Sequence, residues 1–426
     1  MNKIQITGGR LIDPANGIDR TGDVYIADGK ILSVAARPDG FDAGFTIDAA
    51  GQIVCPGFID LSTRLREPGQ SRKGTFKSET RAAAKAGFTT LCLQPDTVPV
   101  IDTPAVAELV RELAEKAGYP QIHPIAALTQ KLEGIELSSM LSLQRAGCIA
   151  VGHANRPVKN LLILRRAMEY AASHDLLLIF RPNDSWLGNN GCAHEGMLAT
   201  RYGLPSIPEA AETIALAQCL ELAELTGCRI HFGQLSCKRS VIKIQQARND
   251  GLRVTADVAM HQLHLTENDM IPFDSAYHVL PPLRTEADKQ YLRTGLAAGT
   301  IDAIVSDHQP HDLDAKLGAF PETEPGISAL ETVLPLLLKL ADDGALTLFE
   351  GIAALTSKPA QILGLKRGAL TPGLQADVCI FDPAETWTIE AANWKSRGVN
   401  TPFWGQTMKG RVTHTVQAGC LIHPTA

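Results

Sequence analysis

The sequence lacks the features that mark several common classes of protein. It contains no apolar run of the ~18 residues that a membrane-spanning helix needs. Its first residues, MNKIQITGGRLID, become polar too early for a signal peptide. Its formal net charge of −6 offers no excess of positive charge to nucleic acid or to an anionic membrane. We therefore expect a cytoplasmic protein that binds neither nucleic acid nor a membrane.

Closely spaced cysteines are also missing. The nine cysteines lie singly along the chain, without a Cys-x-x-Cys pair. Most of them, such as Cys92, Cys148 and Cys379, lie inside apolar runs. This pattern predicts buried, reduced thiols, which agrees with a cytoplasmic location.

The chain does contain a regular alternation of strands and helices. Its hydrophobic content of 45% and charged content of 20% are typical of a soluble globular protein. Eight apolar segments alternate with amphipathic ones, several of which end on glycine. The predicted strands are IVCPGFIDLS, FTTLCLQP, IHPIAAL, CIAVGH, LLLIFRP, RIHFGQL, RVTADVA and DAIVSDH. This pattern predicts a (β/α)₈ barrel over residues 55–365.

The two ends of the chain have a different pattern. Residues 1–54 and 366–426 contain short predicted strands separated by Gly and Asp turns. We expect both ends to form one small β-sandwich beside the barrel.

Polar residues follow the predicted barrel strands. The carboxyl ends of the strands form the active-site face of such a barrel. The residues at these ends are Ser62, Arg64 and Arg66; Gln94, Asp96 and Thr97; His153 and Asn155; Arg181, Asn183 and Asp184; Gln234 and Ser236; His261; and Asp307, His308 and His311. The predicted site is therefore rich in cations and poor in metal ligands.

A series of short motifs runs along nearly the whole chain. In order they are GFID, LREPG, GFTTLCLQPDTVP, ALTQKLEG, HEG, GLPSIPEAAE, PPLR, IDAIVSDHQPH, GISALETVLPL and GALTPGLQADVCIFDP. Together they resemble the dihydroorotase branch of the amidohydrolase superfamily. The resemblance implies an amidohydrolase barrel with a β-sandwich, and closure and opening of the dihydroorotate ring by zinc held at the strand ends.

The chain departs from this family at the positions that the resemblance assigns to metal ligands. The frame D-x-H-x-H-L-R-E-P-G reads DLSTRLREPG, so Ser62 and Arg64 replace two histidines. An Asp-Asp-Gly segment is replaced by one that begins at His153, and two further histidines are replaced by Arg181 and Gln234. Of the metal-binding set, Asp307 alone is retained.

These replacements predict that the chain holds no zinc and uses no cofactor. Catalytic zinc needs about three Cys, His or carboxylate ligands and an open position for water. Arginine stays protonated and cannot ligate, and Ser and Gln are poor zinc ligands. Asp307 with at most His153 is too few, so we interpret Asp307 as a vestigial catalytic residue.

The residues expected to bind substrate are also altered. The resemblance assigns a vestigial substrate site to Arg66, Asp96 and His261. Arg66 is retained where the family binds the substrate carboxylate, whereas Asp96 replaces an asparagine and would repel that carboxylate. Leu280 replaces the asparagine before PPLR.

Two arrangements of the replaced site remain open. In the first, Arg64 or Arg181, or both, form an ion pair with Asp307, and Ser62 is the small neighbour that makes room. In the second, the arginines turn outward and leave the cleft open for an anion. His153, without other ligands beside it, is expected to be hydrogen-bonded within the protein.

Within the family, a class of non-catalytic bacterial homologues associates with aspartate transcarbamoylase, while a separate dihydroorotase performs the reaction. The chain resembles this class, which implies the transcarbamoylase catalytic chain as its partner and homodimers within a hetero-oligomer. Two alternatives are a cyclic amide hydrolase with an atypical metal or none, and a module that binds a pyrimidine intermediate through Arg64, Arg66 and Arg181.

Overall fold

The computed structural model describes residues 3–118, 120–271 and 273–424. The strands are β1 (Ile4–Asp13), β2 (Ile18–Ala27), β3 (Lys30–Val34), β4 (Phe45–Asp48), β5 (Ile53–Pro56), β6 (Phe58–Thr63), β7 (Phe88–Leu93), β8 (Gln121–Ala127), β9 (Ala150–Gly152), β10 (Leu178–Phe180), β11 (Ala193–His194), β12 (Ser206–Ile207), β13 (Ile230–Phe232), β14 (Val254–Ala259), β15 (Ala303–Val305), β16 (Val378–Thr388), β17 (Thr407–Gln417) and β18 (Cys420–His423). They form two large sheets and one small parallel pair, β11 and β12.

The α-helices lie mainly between the strands of the second large sheet. They are α1 (Phe76–Lys85), α2 (Pro104–Ala117), α3 (Met140–Arg145), α4 (Leu161–Ser173), α5 (Ser185–Gly188), α6 (Met197–Tyr202), α7 (Glu209–Thr226), α8 (Lys238–Asn249), α9 (Glu286–Ala297), α10 (Val333–Asp342), α11 (Leu348–Leu355) and α12 (Ser357–Leu363). The predicted glycine ends are present: α2, for example, ends at Gly118, whose φ of 70° is left-handed.

Both ends of the chain contribute to one sheet. Its strands run in the order β18-β17-β16-β5-β1-β2-β3, with β4 beside β1. β5 is central, because it is parallel to β1 and antiparallel to β16. The expected joint structure of the two ends is therefore confirmed.

The other large sheet is the barrel. Its eight strands are parallel and run in the order β6-β7-β8-β9-β10-β13-β14-β15. A parallel bridge between Thr63 and His308 joins the last strand to the first. The predicted (β/α)₈ barrel is confirmed.

One predicted strand is divided. The segment IVCPGFIDLS forms β5 in the terminal sheet and β6 in the barrel, and Gly57 separates them. A Cβ atom at Gly57 would collide with the side chain of Thr89. Glycine thus lets the chain pass close to β7 as it leaves one sheet for the other.

The barrel strands are buried on both faces. Ile59 and Leu61 of β6 pack in an inner cluster with residues of the other strands and of α12. Phe58 of β6 and Phe88 of β7 face the cluster that lies against the outer helices. Burial on both faces explains why these strands are continuous apolar runs and not alternating ones.

Two further expectations concern the burial of the cysteines and the presence of a membrane-spanning helix. Eight cysteines are buried and unpaired, as predicted, whereas Cys420 at the start of β18 is exposed. In the described ranges, no helix combines the length and apolar character needed to cross a bilayer.

Candidate functional site

Three of the five positions that the resemblance assigns to replaced metal ligands, Ser62, Arg64 and Gln234, lie together beside the Asp307 carboxylate at the carboxyl ends of the barrel strands. Asp307 Oδ1 accepts hydrogen bonds from Gln234 Nε2 at 2.6 Å and from Gln309 Nε2 at 3.0 Å. Arg64 Nη1 lies 3.8 Å from the same oxygen. Asp307 is buried, and its carboxylate is contacted by Arg64 and by two amide groups.

Arg64 turns inward and forms two ion pairs. Besides the contact with Asp307, its Nε donates to Asp96 Oδ2 at 2.8 Å. The predicted pair with Asp307 is therefore present, within the usual ~4 Å limit. The shorter contact is with Asp96, a residue that sequence analysis assigned to the substrate side. In this structure Asp96 binds a guanidinium of the protein itself.

Ser62 accepts hydrogen bonds from two amides. Gln234 Nε2 donates to Ser62 Oγ at 2.9 Å, and Gln94 Nε2 donates to it at 3.3 Å. The space left beside these side chains is about 20 Å³, which is the size of a single water molecule. The side chains therefore nearly fill this part of the barrel mouth.

The backbone at this cluster is unusual for non-glycine residues. The φ angles are 67° at Arg66, 57° at Gln234 and 48° at Asp307, all in the left-handed region. Such conformations typically cost about 1–3 kcal/mol and persist only where the surroundings enforce them. At Gln234 the backbone N–H donates to Asp257 Oδ1 at 2.6 Å, which holds that conformation in place.

Arg66 is held by the loop that follows β15. Its Nε donates to the carbonyl of Pro310 at 2.9 Å, and its Nη2 lies 3.0 Å from His311 Nε2. Burial lowers the pKa of Arg66 to about 10, so the guanidinium is charged at neutral pH. These contacts hold the Arg66 side chain against the loop that follows β15.

The two histidines that sequence analysis singled out differ in their surroundings. His153 Nε2 lies 2.8 Å from Thr129 Oγ1 and its Nδ1 lies 2.7 Å from the carbonyl of Arg156, so both ring nitrogens are engaged, as expected. His261 is buried, and neither of its ring nitrogens has a hydrogen-bond partner among the described residues. Burial, together with the charge of Arg181, lowers the pKa of His261 to about 4, so its ring is neutral.

Arg181 adopts the second of the two expected arrangements. Its side chain forms no ion pair or hydrogen bond with any residue that the structure describes, and it is partly exposed. It lines a cavity of about 220 Å³ between the ends of β9 and β10 and the segment around Pro281. Thus Arg64 is bound within the cluster around Asp307, whereas Arg181 lines an open cavity.

Comparison with known proteins identifies the family. Residues 51–240 match the family model described as Dihydro-orotase-like. Over 420 residues, or 99% of both chains, the sequence is 48% identical to a protein of Pseudomonas aeruginosa named dihydroorotase-like protein. The chain belongs to the dihydroorotase-like family.

Other relatives of this dihydroorotase-like chain agree with the assignment. A protein of Syntrophus aciditrophicus named dihydroorotase is 40% identical over 422 residues, covering 99% of each chain. In fold, the chain is similar to L-hydantoinase (dihydropyrimidinase) from Arthrobacter aurescens, with a TM-score of 0.88, 99% and 96% coverage and 23% identity. This likeness agrees with the barrel and the shared terminal sheet described above.

The side chains around Asp307 do not fit the zinc ion that the family resemblance implies. A zinc site needs about three ligands from Cys, His or carboxylate groups. At this cluster Arg64 and Gln234 contact the Asp307 carboxylate, and His153 uses both ring nitrogens elsewhere. The neighbouring carboxylates are also engaged: Asp96 pairs with Arg64, and Asp257 accepts from the Gln234 N–H and from His231. A bound metal would place a positive charge beside Asp307, and in this chain the guanidinium of Arg64 provides that charge.

Elsewhere in the described ranges, one other group of side chains is close enough together to suggest a metal: His194, Glu209 and Asp288. His194 Nδ1 lies 3.0 Å from Arg284 Nη1, which can only donate. The neutral ring therefore accepts at Nδ1 and carries its proton on Nε2, so neither nitrogen offers a free lone pair to a metal. We interpret this group as structural.

Sequence analysis missed three charged residues at the strand ends. Arg284 donates to Ser236 Oγ at 3.0 Å, and Glu212 accepts from the Ser236 N–H at 3.1 Å. Asp257 accepts from His231 Nε2 at 2.8 Å. Arg284 and Glu212 end the motifs PPLR and IPEAAE, and Asp257 interrupts an apolar strand. A charge inside an otherwise buried strand was the available signal, because such a charge needs a partner.

The pH dependence of stability should change in an Asp307→Asn variant. Burial raises the pKa of Asp307 from its ordinary 3.8 to about 6, against the opposing effect of Arg64 and Arg181. A group with a raised folded pKa stabilises the fold fully below its unfolded pKa, and this contribution is lost as the pH rises through the folded value. The free energy of unfolding of the parent should therefore fall relative to that of the variant between about pH 4 and pH 6.

Urea unfolding of both proteins across this pH range measures the difference. Asp343→Asn, which alters a partly exposed carboxyl at the end of α10, serves as the control and should leave the parent's slope unchanged. Parallel pH profiles for parent and Asp307→Asn would contradict the prediction.

Proposed function

We propose that this chain is a non-catalytic dihydroorotase homologue of pyrimidine biosynthesis that supports the assembly or activity of aspartate transcarbamoylase. One observation carries the proposal: a guanidinium and two amides contact the Asp307 carboxylate, and the neighbouring Asp96 carboxylate pairs with the same guanidinium. This arrangement leaves no set of ligands for a metal that would activate water. Binding a partner protein through the surface of the fold needs no metal at this site.

The retained architecture supports a binding role. The whole barrel and the shared terminal sheet are present, and the sequence is similar to its relatives over 99% of the chain. The residues at the altered positions do not suit catalysis, and some of them pair with one another, as Arg64 and Asp96 do. Selection for a stable, intact surface accounts for both features.

The partner is expected to form a lasting complex. We propose homodimers of this chain within a hetero-oligomer that also contains the transcarbamoylase catalytic chain. Obligate interfaces of this type typically bury about 2,000 Å² or more and have apolar centres.

Co-expression with the host's aspartate transcarbamoylase should yield one stable complex, and deletion of the gene should reduce the size or the activity of the transcarbamoylase. Size-exclusion chromatography with light scattering and a transcarbamoylase assay measure the two effects. An Asp307→Asn chain should restore both as well as the parent does, since the proposed role needs no catalytic carboxylate. An unchanged transcarbamoylase in the deletion strain, in size and in rate, would count decisively against the proposal.

A further inference from the structure

The cavity beside Arg181 is distinct from the filled space around Asp307. It measures about 220 Å³, against about 20 Å³ beside Ser62 and Gln234. Arg181 lines both spaces and so stands between them. The larger open volume at the barrel mouth therefore lies on the side of the strand ends where Arg181 is partly exposed.

Arg181 is a cation of this cavity that makes no ion pair or hydrogen bond with a described residue, although Asp307 and Glu212 attract its charge from further away. Asp307 already accepts from Gln234 and Gln309 and pairs with Arg64. Glu212, which also lines the cavity, accepts from the N–H groups of Ser236 and Cys237. Burial lowers the pKa of Arg181 to about 10, so its guanidinium remains charged at neutral pH.

The other cation in the cavity wall is already bound. Arg284 donates to Ser236 Oγ, to His194 Nδ1 and to the carbonyl of Ile207, each at 3.0 Å. Its charge is further offset by Glu212, 3.9 Å away. A negatively charged ligand in the cavity would therefore interact with the guanidinium of Arg181.

Two amide side chains stand beside this guanidinium. Asn155 and Asn183 line the cavity, are half-buried, and form no side-chain hydrogen bond within the described ranges. An amide can both donate and accept. A few polar side chains that point into a cavity, one of them charged, are typical of a small-molecule site, where they fix the orientation of the ligand.

We infer that this cavity binds a small organic acid or phosphate, whose oxyanion contacts Arg181 and whose remaining polar groups contact Asn155 and Asn183. A guanidinium binds a carboxylate or phosphate through two parallel hydrogen bonds, which gives both affinity and orientation. The volume suits a compact acid and is smaller than the 300 Å³ or so of common ligand pockets. The site does not depend on a protein partner.

Isothermal titration calorimetry on the full chain at low salt tests the inference, with inorganic phosphate, malonate and N-carbamoyl-L-aspartate as separate probes. At least one probe should bind at one site per chain, with a dissociation constant below about 1 mM. Arg181→Gln should weaken that binding by about tenfold to a hundredfold, which corresponds to the loss of charge-assisted hydrogen bonds. The probe that binds best distinguishes a phosphate ligand from a carboxylate ligand.

The matched control is Arg165→Gln, which removes the same charge from an exposed ion pair with Glu169 on α4. It should leave the affinity unchanged. If Arg181→Gln does not fold, Asn183→Asp replaces it, because a carboxylate beside Arg181 should abolish anion binding without removing the arginine. Failure of all three probes to bind, equal affinity in the cavity variant, or equal weakening by Arg165→Gln would each overturn the inference.

Discussion

The purified chain is expected to contain well under one equivalent of zinc and to show no dihydroorotase turnover, with or without added zinc. The reason is the donor set: Arg64 cannot ligate a metal, and Asp307 accepts from Gln234 and Gln309. Zinc-bound water has a pKa near ~7, and without the ion no group at this site lowers the pKa of water to that extent. Metal analysis by plasma mass spectrometry and a turnover assay in both directions measure the two outcomes.

The restoration experiment sharpens this prediction. A Ser62→His, Arg64→His double variant should also remain inactive, because Arg181 and Gln234 still occupy two further positions that the family resemblance assigns to ligands. The Syntrophus aciditrophicus relative named dihydroorotase, 40% identical, provides the positive control under the same conditions. Stoichiometric zinc near Asp307 in the unmodified chain would refute the prediction.

Replacing Glu79 by Ala is expected to lower the free energy of unfolding by about 3–5 kcal/mol, because each buried donor left without an acceptor typically costs about 1–3 kcal/mol. Glu79 on α1 is fully buried, and its Oε2 accepts from His308 Nε2 at 2.8 Å and from Ser396 Oγ at 2.5 Å. His308 Nδ1 accepts from the Ala329 N–H at 3.0 Å, so Nε2 carries the ring proton and donates. The carboxylate thus ties a barrel helix to the last barrel strand and to the segment before β17.

The variant would leave several buried donors without an acceptor, which is the physical origin of the large effect. Glu350→Ala is the matched control, because this glutamate lies in an exposed capping box at the start of α11. Its loss should cost about 1 kcal/mol. Chemical denaturation at neutral pH measures both, and a Glu79→Ala loss no larger than the control's would contradict the assigned role.

Acid should weaken the same interaction. Burial alone would raise the pKa of Glu79, but the hydrogen bonds from His308, Ser396 and Ser78 outweigh burial and hold the pKa below its ordinary value of 4.5. A carboxylate with a lowered folded pKa stabilises the fold above its unfolded pKa and ceases to do so as the pH falls through the folded value. The difference in free energy of unfolding between the parent and the Glu79→Ala variant should therefore become smaller as the pH falls.

Much of the site was predictable because strand ends converge in a parallel barrel. The rule that functional groups follow the carboxyl ends of strands places Ser62, Gln234 and Asp307 at the same end of the barrel from the sequence alone. It required only the position of each apolar run, which the periodicity of the sequence supplies. The fold was predictable for the same reason, apart from the division of the first predicted strand at Gly57.

The direction of the long side chains was not predictable. Arg64 and Arg181 both follow strand ends, yet Arg64 turns inward and Arg181 does not. The difference depends on Asp96, whose carboxylate lies 2.8 Å from Arg64 Nε and arrives on the loop after β7. Loop geometry of this kind is decided by tertiary contacts that a single sequence does not reveal.

The central place of β5 in the terminal sheet has a consequence for how the protein is made. A ribosome completes β1 to β5, then the entire barrel, and only afterwards β16, the strand that covers the free edge of β5. Until then the nascent chain carries an unpaired strand edge, which is prone to pairing with other chains. Premature termination anywhere before residue 378 would leave that edge permanently exposed. The strands that are translated last therefore protect the edge of a strand that is translated early.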